Sequence, residues 1–179
     1  MNLFHYPIGK RAPGQVNVVV EIAKDTNTKY EYDIDNGLLI LNRCLISSMR
    51  YPINYGFIPQ TIGDDKDPID VLIYSDAPMQ PGCVVKGCRI IGGLDMRDDG
   101  VKDYKLLAIP RWNTSNITDL DDLPQTFLKI TRDFFKHYKN LLDKKVIARE
   151  WFGAKRAHRI INRGADVYNN LQSSRVQLI

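Results

Sequence analysis

The chain has 179 residues, of which 44% are hydrophobic and 26% are charged, and its formal net charge is +4. These values are typical of a soluble globular protein, and the length predicts a single domain, residues 1–179, with a sizeable core. The net charge does not resemble the basic footprint of a dedicated nucleic-acid binder, but the sequence pI of about 8.9 leaves that class open. We find no apolar stretch of membrane-spanning length and no signal peptide. Three cysteines without a Cys-x-x-Cys pair argue against a disulfide framework and favour a reducing cytoplasm.

Short predicted strands follow one another through the first two thirds of the chain. They are apolar or alternating runs at 16–22, 28–34, 38–41, 71–74, 84–91 and 106–109. Asp35-Asn36-Gly37 and Asp99-Gly100 predict hairpin turns, and Gly92-Gly93 predicts the end of the fifth run. The segment 51–59 has two prolines, a glycine and three aromatic residues, which predicts a rigid, non-helical stretch.

The last third of the chain changes to a helical period. Asp121, Asp122 and Pro124 predict the start of a helix. Apolar residues then recur at helical spacing in two segments: Phe127, Ile130, Phe134, Tyr138 and Leu141, then Ala157, Ile160, Ile161, Gly164, Tyr168 and Leu171. The segment 172–179 is a weakly patterned tail. This order predicts an α+β fold, as a small closed OB-like antiparallel β-barrel with two principal C-terminal α-helices packed outside.

The most distinctive stretch is acidic. Asp64, Asp65, Asp67 and Asp70 lie within the segment 64–70, directly before the apolar run 71–74. Carboxylates this close repel one another unless cations lie between them. The stretch is therefore either a solvated turn or a site for hard divalent cations such as Mg²⁺, which take oxygen ligands.

Further polar side chains occur at predicted strand ends and turns. The full set comprises seven acids, four bases and three hydroxyls: Glu21, Glu31, Asp65, Asp67, Asp70, Asp98 and Asp103; Lys29, Arg43, Lys105 and Lys139; Tyr51, Tyr55 and Tyr138. If these groups converge, carboxylates bind metal, metal binds phosphate oxygens, and the bases bind the remaining oxygens. Phosphoryl transfer requires this mixture because charge on the phosphoryl group must be neutralised in the transition state.

The acidic segment resembles the signature of soluble family I inorganic pyrophosphatases of the bacterial type, Asp-x-Asp-Pro-x-Asp followed by an apolar residue. Here it reads Asp65-Lys66-Asp67-Pro68-Ile69-Asp70-Val71. Other segments are similar to the family and occur in its order: 18–22, 29–31, Arg43, 51–56, 98–105 and 134–139. The resemblance extends over roughly residues 5 to 165.

The resemblance implies Mg²⁺-dependent hydrolysis of pyrophosphate to two orthophosphates. Its implied metal ligands are Asp65, Asp70, Asp98, Asp103 and Glu21. Asp65, Asp70 and Asp103 would hold the tighter activating ion, and Asp70 would share a second. Asp98 and Asp103 would bind metal that arrives with the substrate, and Glu21 a further ion. A water between two such ions has a lowered pKa.

The resemblance also implies roles for the other members. Asp67 is the expected general base, Tyr55 would hydrogen-bond near the nucleophile, and Lys105 would balance local charge. The expected substrate-binding residues are Lys29, Arg43, Tyr55, Tyr138 and Lys139, and the expected supporting residues are Glu31 and Tyr51. A homohexamer is the family's typical form.

One departure from the family and two alternatives remain. Lys66 stands where the family usually has a small or acidic residue, and we expect its side chain to point to solvent. An EF-hand requires glycine at the sixth loop position, where this chain has Asp70. An OB-type barrel that binds single-stranded nucleic acid would use Lys, Arg and Tyr as a groove, but the seven acids would repel phosphate in the absence of metal.

Overall fold

The computed structural model describes residues 2–113, 116–142 and 144–176, with side chains described up to 174. The strands are β1 (Gln15–Ile22), β2 (Thr28–Asp33), β3 (Leu38–Cys44), β4 (Asn54–Phe57), β5 (Asp70–Ile73), β6 (Val84–Asp98), β7 (Val101–Lys102), β8 (Lys105–Ile109) and β9 (Val146–Gly153). The helices are α1 (Gln125–His137) and α2 (Ala154–Val176), with short 3-10 turns at Leu3–His5, Leu120–Asp122 and Asn140–Leu142. The α+β class and the two principal helices are as predicted.

Seven strands form one sheet in the order β1-β4-β5-β8-β6-β7, with β9 on β6, while β2 and β3 form a separate hairpin. Strand β1 pairs with both β4 and β6. The prediction of antiparallel pairing throughout is wrong for one pair, since β5 and β8 run parallel. A parallel pair needs a long connection, and β6 and β7 provide it between these two strands.

Strand β6 continues through Gly92 and Gly93, where the sequence predicted its end. A Cβ on Gly92 would lie 2.4 Å from the Phe152 carbonyl oxygen, and one on Gly93 would lie 2.7 Å from the Phe152 ring. Phe152 belongs to β9, a strand that the sequence analysis missed. The glycines therefore allow β9 to approach β6 closely and do not terminate a strand.

The predicted buried face of α1 was partly wrong. Its buried side chains are Leu128, Thr131, Phe134 and Phe135, with Tyr138 directly after it. Ile130 and Leu141 were predicted on this face, yet they are 55% and 64% exposed. In α2 the predicted residues Ala157, Ile161 and Tyr168 are buried, whereas Leu171 is exposed. Helix α2 also extends into the predicted tail, of which residues 177–179 lie outside the described part.

The central strands β5 and β8 are covered on both sides. Val71 and Leu106 pack in the core that α2 completes, while their neighbours Leu72 and Leu107 pack in the core that includes α1. This burial explains why both strands are continuous apolar runs. Their polar first residues, Asp70 and Lys105, mark the point where the sheet meets the site described below. Within the described residues, neither helix has the length and apolar character needed to cross a membrane.

Candidate active site

A cleft of about 600 Å³ lies where several strand ends approach the end of α1. All fourteen side chains singled out from the sequence line it: Glu21, Lys29, Glu31, Arg43, Tyr51, Tyr55, Asp65, Asp67, Asp70, Asp98, Asp103, Lys105, Tyr138 and Lys139. The metal-and-phosphate site predicted from the sequence required these side chains to converge, and in the structure they do. The lining also includes Asn42, Asp99 and Lys144, which the sequence analysis missed.

The acid loop, residues 58–69 between β4 and β5, carries Asp65 and Asp67 into the cleft. The Gly63 amide donates to the Asp67 carbonyl oxygen (2.7 Å), and the Asp67 amide donates to Asp65 Oδ1 (3.2 Å). Lys66 has a φ of 74° and is exposed outside the cleft lining, as expected. Asp64 turns away from the cleft and forms an ion pair with Arg163 of α2 (2.7 Å).

The base of the acid loop is closed by a buried hydroxyl. Thr61 Oγ1 donates to the Ile58 carbonyl oxygen (2.7 Å) and accepts from the Ile69 amide (3.1 Å). The Ile62 amide donates to the Gly164 carbonyl oxygen of α2 (3.0 Å). Both ends of the loop are therefore tied together and tied to a helix. No residue pattern in the sequence distinguished Thr61.

Lys105 occupies the centre of the carboxylate group. Its ammonium contacts Asp70, lies 2.5 Å from Asp103 Oδ1 and donates to the Tyr55 hydroxyl at 3.1 Å. Burial by itself would lower the pKa of Lys105, but Asp103 and Asp70 raise it well above its usual range. Burial by itself would also raise the pKa of Asp103, which the Lys105 ammonium holds below its usual range. The Lys105–Asp103 pair is therefore charged.

Asp70 shares the same ammonium but behaves differently. Burial raises the pKa of Asp70 to about 7, because Lys105 does not fully offset the loss of solvent and the charge of Asp103 adds to it. Glu21 is also buried and accepts from the Tyr32 amide (2.8 Å), and burial and the charge of Asp70 raise its pKa to about 8. Burial, followed by the charge of Asp103, raises the pKa of Asp65 to about 6. The positive charge near Asp70, Glu21 and Asp65 is therefore too small to offset the effect of burial on their pKa values.

The β2–β3 hairpin supplies the cations on one side of the cleft. Lys29 and Arg43 are cross-strand partners, and Lys29 contacts Glu31. Asn42 links the set, since its Nδ2 donates to Glu31 (2.6 Å) and its Oδ1 accepts from Arg43 (2.8 Å). Glu31 thus orients both cations, directly or through Asn42.

The C-terminal end of α1 supplies a further cation. Lys139 contacts Asp98, the last residue of β6. Burial lowers the pKa of Lys139, although Asp98 acts in the opposite direction. The Tyr138 ring stacks on Phe134 (5.3 Å between centroids) and meets Tyr51 edge-on, so the aromatic core holds this end of the helix in place. Tyr51 itself is buried in that core, next to Tyr55.

The donor chemistry of the cleft fits hard divalent cations. Its lining contains eight carboxyl groups and five lysine or arginine side chains. Asp98 Oδ1 is buried without a hydrogen-bond partner in the described structure. Oxygen ligands of this kind are those that Mg²⁺ takes. No three acidic, histidine or cysteine groups among the described residues form a closed ligand cage, and the Lys105 ammonium lies between Asp70 and Asp103.

Comparisons with known sequences find relatives over most of the chain. The model of the inorganic pyrophosphatase family matches residues 18–169. The inorganic pyrophosphatase of Aquifex pyrophilus is 42% identical over 167 residues, which cover 90% of this chain and 94% of the relative. The inorganic pyrophosphatase of Ralstonia nicotianae is 43% identical over 166 residues, covering 89% and 94%.

Solved structures agree with the sequence comparisons. The crystal structure of inorganic pyrophosphatase from Thermus thermophilus superposes with a TM-score of 0.90 at 34% identity and covers 94% of this chain and 99% of its own. The structure of an inorganic phosphatase from Anaplasma phagocytophilum has a TM-score of 0.86 at 40% identity, with coverages of 91% and 98%.

Proposed function

The chain belongs to the inorganic pyrophosphatase family and hydrolyses inorganic pyrophosphate to two orthophosphates, and we propose that Mg²⁺ and the carboxylate of Asp67 carry this reaction. The observation that supports this proposal is the convergence of acids and bases in one cleft. A surplus of carboxyl groups beside the cations Lys29, Arg43 and Lys139 suits a metal-bound anion better than a free anion.

We assign the metal to the carboxylates on the two sides of Lys105. Asp65, Asp70 and Asp103 would hold the tighter Mg²⁺, with Asp70 sharing a second ion, and Asp98 and Glu21 would hold further ones. Bound Mg²⁺ lowers the pKa of a coordinated water and neutralises charge on the phosphate oxygens. Support comes from the raised pKa values of Glu21 and Asp70, whose ionised forms a nearby cation would stabilise.

Asp67 accepts the proton of the attacking water. It lies between Asp65 and Asp70 in the chain, it lines the cleft, and its side chain forms no ion pair with any described residue. Burial, followed by the charges of Glu31 and Asp103, raises its pKa, which makes its carboxylate a better proton acceptor. The hydrogen bonds of its own amide and carbonyl group fix its backbone in the loop.

The other residues bind and orient the substrate. Lys29, Arg43 and Lys139 provide the positive charge for the phosphate oxygens, with Glu31 holding Lys29 in position. Tyr55 and Tyr138 line the same cleft, where their hydroxyls would donate to the substrate. Burial keeps both tyrosines protonated, because it raises their pKa values above the usual range. Lys105 offsets the charge of Asp70 and Asp103.

The finer architecture forms part of the same proposal. The pairing of β1 with both β4 and β6 supports a closed barrel within one domain, residues 1–179. A homohexamer rests on the family resemblance, and a cytoplasmic location rests on the three free cysteines. The exposed apolar side chains of Ile46, Trp112 and Leu141 are consistent with contacts between copies. Analytical ultracentrifugation tests this, with a hexamer expected and a monomer contradicting it.

The experiment for the catalytic proposal is a phosphate-release assay with and without Mg²⁺. We expect activity only with Mg²⁺ and a loss of about 10²-fold or more in kcat for Asp67→Asn with unchanged circular dichroism, since general-base groups contribute this much. The matched control is Asp64→Asn, a neighbouring acid that pairs with Arg163 outside the proposed chemistry. Full activity of Asp67→Asn would remove the proposed base. Inactivity together with tight binding of single-stranded nucleic acid would favour the groove alternative.

A further inference from the structure

A second concave surface, of about 400 Å³, lies between the N-terminal arm, β1, β6 and the residue that follows Pro110. We call it the basic cleft and define it by its four cations, Lys10, Arg11, Lys86 and Arg111. Its lining contains no acidic residue. It shares no residue with the cleft of the candidate active site, which we call the active cleft. The two surfaces therefore differ in their chemistry: one mixes acids with bases, and the other carries positive charge alone.

The hydrogen bonds of one lining residue, Asn17, connect the segments that form the basic cleft. Asn17 of β1 donates from Nδ2 to the Pro7 carbonyl oxygen (2.9 Å), and its Oδ1 accepts from the Gly87 amide (3.0 Å). Its backbone amide also donates to the Ile8 carbonyl oxygen (2.6 Å). Because these bonds join three separate chain segments, the cleft is a built feature of the fold.

A β-bulge lies next to two of the cations, Lys86 and Arg111. Lys86 and Gly87 of β6 together face the single residue Asn17 of β1, between the pairs Val16–Cys88 and Val18–Val85. Gly87 has a φ of +67°, and Arg111 Cδ lies 3.8 Å from the position that a Cβ on Gly87 would take. The positive φ of this bulge residue favours glycine, and the Arg111 side chain lies beside it at ordinary van der Waals distance. Bulges commonly redirect side chains next to functional sites.

The charge of the basic cleft is uncompensated. None of its four cations forms an ion pair with a carboxylate in the described residues, and all four are exposed to solvent. Like charges gathered on one concave surface repel each other and produce a positive potential that attracts anions. Arginine and lysine together suit phosphate, with arginine giving two parallel hydrogen bonds and lysine a point charge.

We propose that the basic cleft is a second anion site, which binds an oligophosphate, meaning two or more linked phosphate groups, either free or carried by a nucleotide. Four cations provide more positive charge than a single orthophosphate requires. Because the lining has no carboxylate, binding here needs no metal, in contrast to the active cleft. Metal independence is thus the property that separates the two sites experimentally.

The test is isothermal titration calorimetry of the full-length protein with inorganic tripolyphosphate in EDTA, which also suppresses Mg²⁺-dependent hydrolysis. The variant is Lys86→Glu/Arg111→Glu. The matched control is Lys129→Glu/Lys155→Glu, which makes the same charge change at two exposed lysines that line neither cleft. We expect at least about tenfold weaker binding in the variant and a change below about twofold in the control. Equal weakening in both would attribute binding to net charge and overturn the site.

Titrations with further ligands show which chemical groups the basic cleft binds. Orthophosphate binding as tightly as tripolyphosphate would overturn the oligophosphate assignment, and so would adenosine binding as tightly as ATP. ATP equal to tripolyphosphate supports recognition of the phosphates alone, whereas ATP at least about tenfold tighter supports a nucleotide as the source of the same phosphates. The phosphate-release rate with Mg²⁺ should be unchanged in Lys86→Glu/Arg111→Glu, because neither residue belongs to the catalytic machinery. An inactive wild type would refute the catalytic proposal without affecting this binding result.

Discussion

Lys105 Nζ lies 2.5 Å from Asp103 Oδ1 inside the protein, and the lysine is only 2% exposed. The two residues are two positions apart, with Lys105 opening β8, so the pair is set at the edge of the sheet. Asp70, on the neighbouring strand β5, contacts the same ammonium. One buried cation thus contacts two carboxylates that we assign to metal binding.

We expect Lys105→Met to lower the free energy of unfolding by about 3–5 kcal/mol, because it leaves buried carboxylates without their counter-charge. Addition of Mg²⁺ should recover part of this loss if Asp70 and Asp103 bind the ion. Urea unfolding with and without Mg²⁺ measures both effects. Lys129→Met, at an exposed lysine, is the control. An unfolding midpoint equal to wild type in Lys105→Met would contradict the role of the pair.

Thr61→Val should weaken the acid loop while keeping the size of the side chain. The substitution removes the hydroxyl that joins the Ile58 carbonyl oxygen and the Ile69 amide, and an unsatisfied buried amide costs about 1–3 kcal/mol. We also expect weaker activation by Mg²⁺, because Asp65 and Asp67 lie on this loop. Mg²⁺ titration of phosphate release measures it. Thr61→Ser keeps the hydroxyl and should behave like wild type; if Ser and Val variants match, the hydrogen bonds are not the cause.

Gly164→Ala should destabilise the contact between α2 and the acid loop. A Cβ there would lie 2.4 Å from Ile69 Cδ1 and 3.0 Å from the Ile62 carbonyl oxygen, and overpacking of this kind costs about 1–3 kcal/mol. Gly153→Ala is the control, since a Cβ there meets no atom within 4 Å. Thermal unfolding of the two variants measures this difference in stability, and equal Tm values for both would contradict the predicted clash.

The same clash predicts a rescue. Ile69→Val removes Cδ1, so the double variant Gly164→Ala/Ile69→Val should lose less stability than the sum of the two single variants. If the stability losses of the two single variants add up to the loss of the double variant, the Ile69 contact is not the source of the strain.

The pH dependence of stability without Mg²⁺ follows from Glu21, whose pKa rises from 4.5 to about 8 through burial and the charge of Asp70. Between these values the folded protein binds more protons than the unfolded chain, so the free energy of unfolding falls as pH rises. Asp70, with a pKa of about 7, acts in the same direction. We expect Tm in EDTA to decrease from pH 5 to pH 8.

Two comparisons check this dependence. Glu21→Gln should flatten the fall in Tm, because the amide does not titrate. Mg²⁺ should raise the Tm of the wild type more at pH 8 than at pH 5, since protonation competes with metal for the carboxylates. A Tm in EDTA that rises steadily from pH 5 to pH 8 would contradict both the burial and the charge argument.

Much of the fold was predictable because side-chain periodicity reflects local geometry. The helical repeat of 157–168 lies within a helix whose buried residues agree with that periodicity. The run 16–22 lies within a strand as predicted, although Val19 and Glu21 on its opposite face are buried as well. The errors arose where contacts between segments that are distant in the chain determine the structure. Gly92 and Gly93 read as a strand end, yet they are the places where β9 packs on β6. The exposed Ile130 likewise shows that the buried side of α1 depends on its neighbours.

By itself, the sequence determined which chemical groups the protein brings to its site. The spacing of Asp65, Asp67 and Asp70 before an apolar strand allowed either a solvated turn or a cation site, and the ordered segments around it indicated the family. Only the tertiary structure decided how these groups act on one another. The ion pairs of Lys105, the bridging position of Asn42 and the raised pKa of Glu21 depend on burial and on contacts between separate strands. Such contacts alter solvation and local charge, which no spacing along the chain encodes.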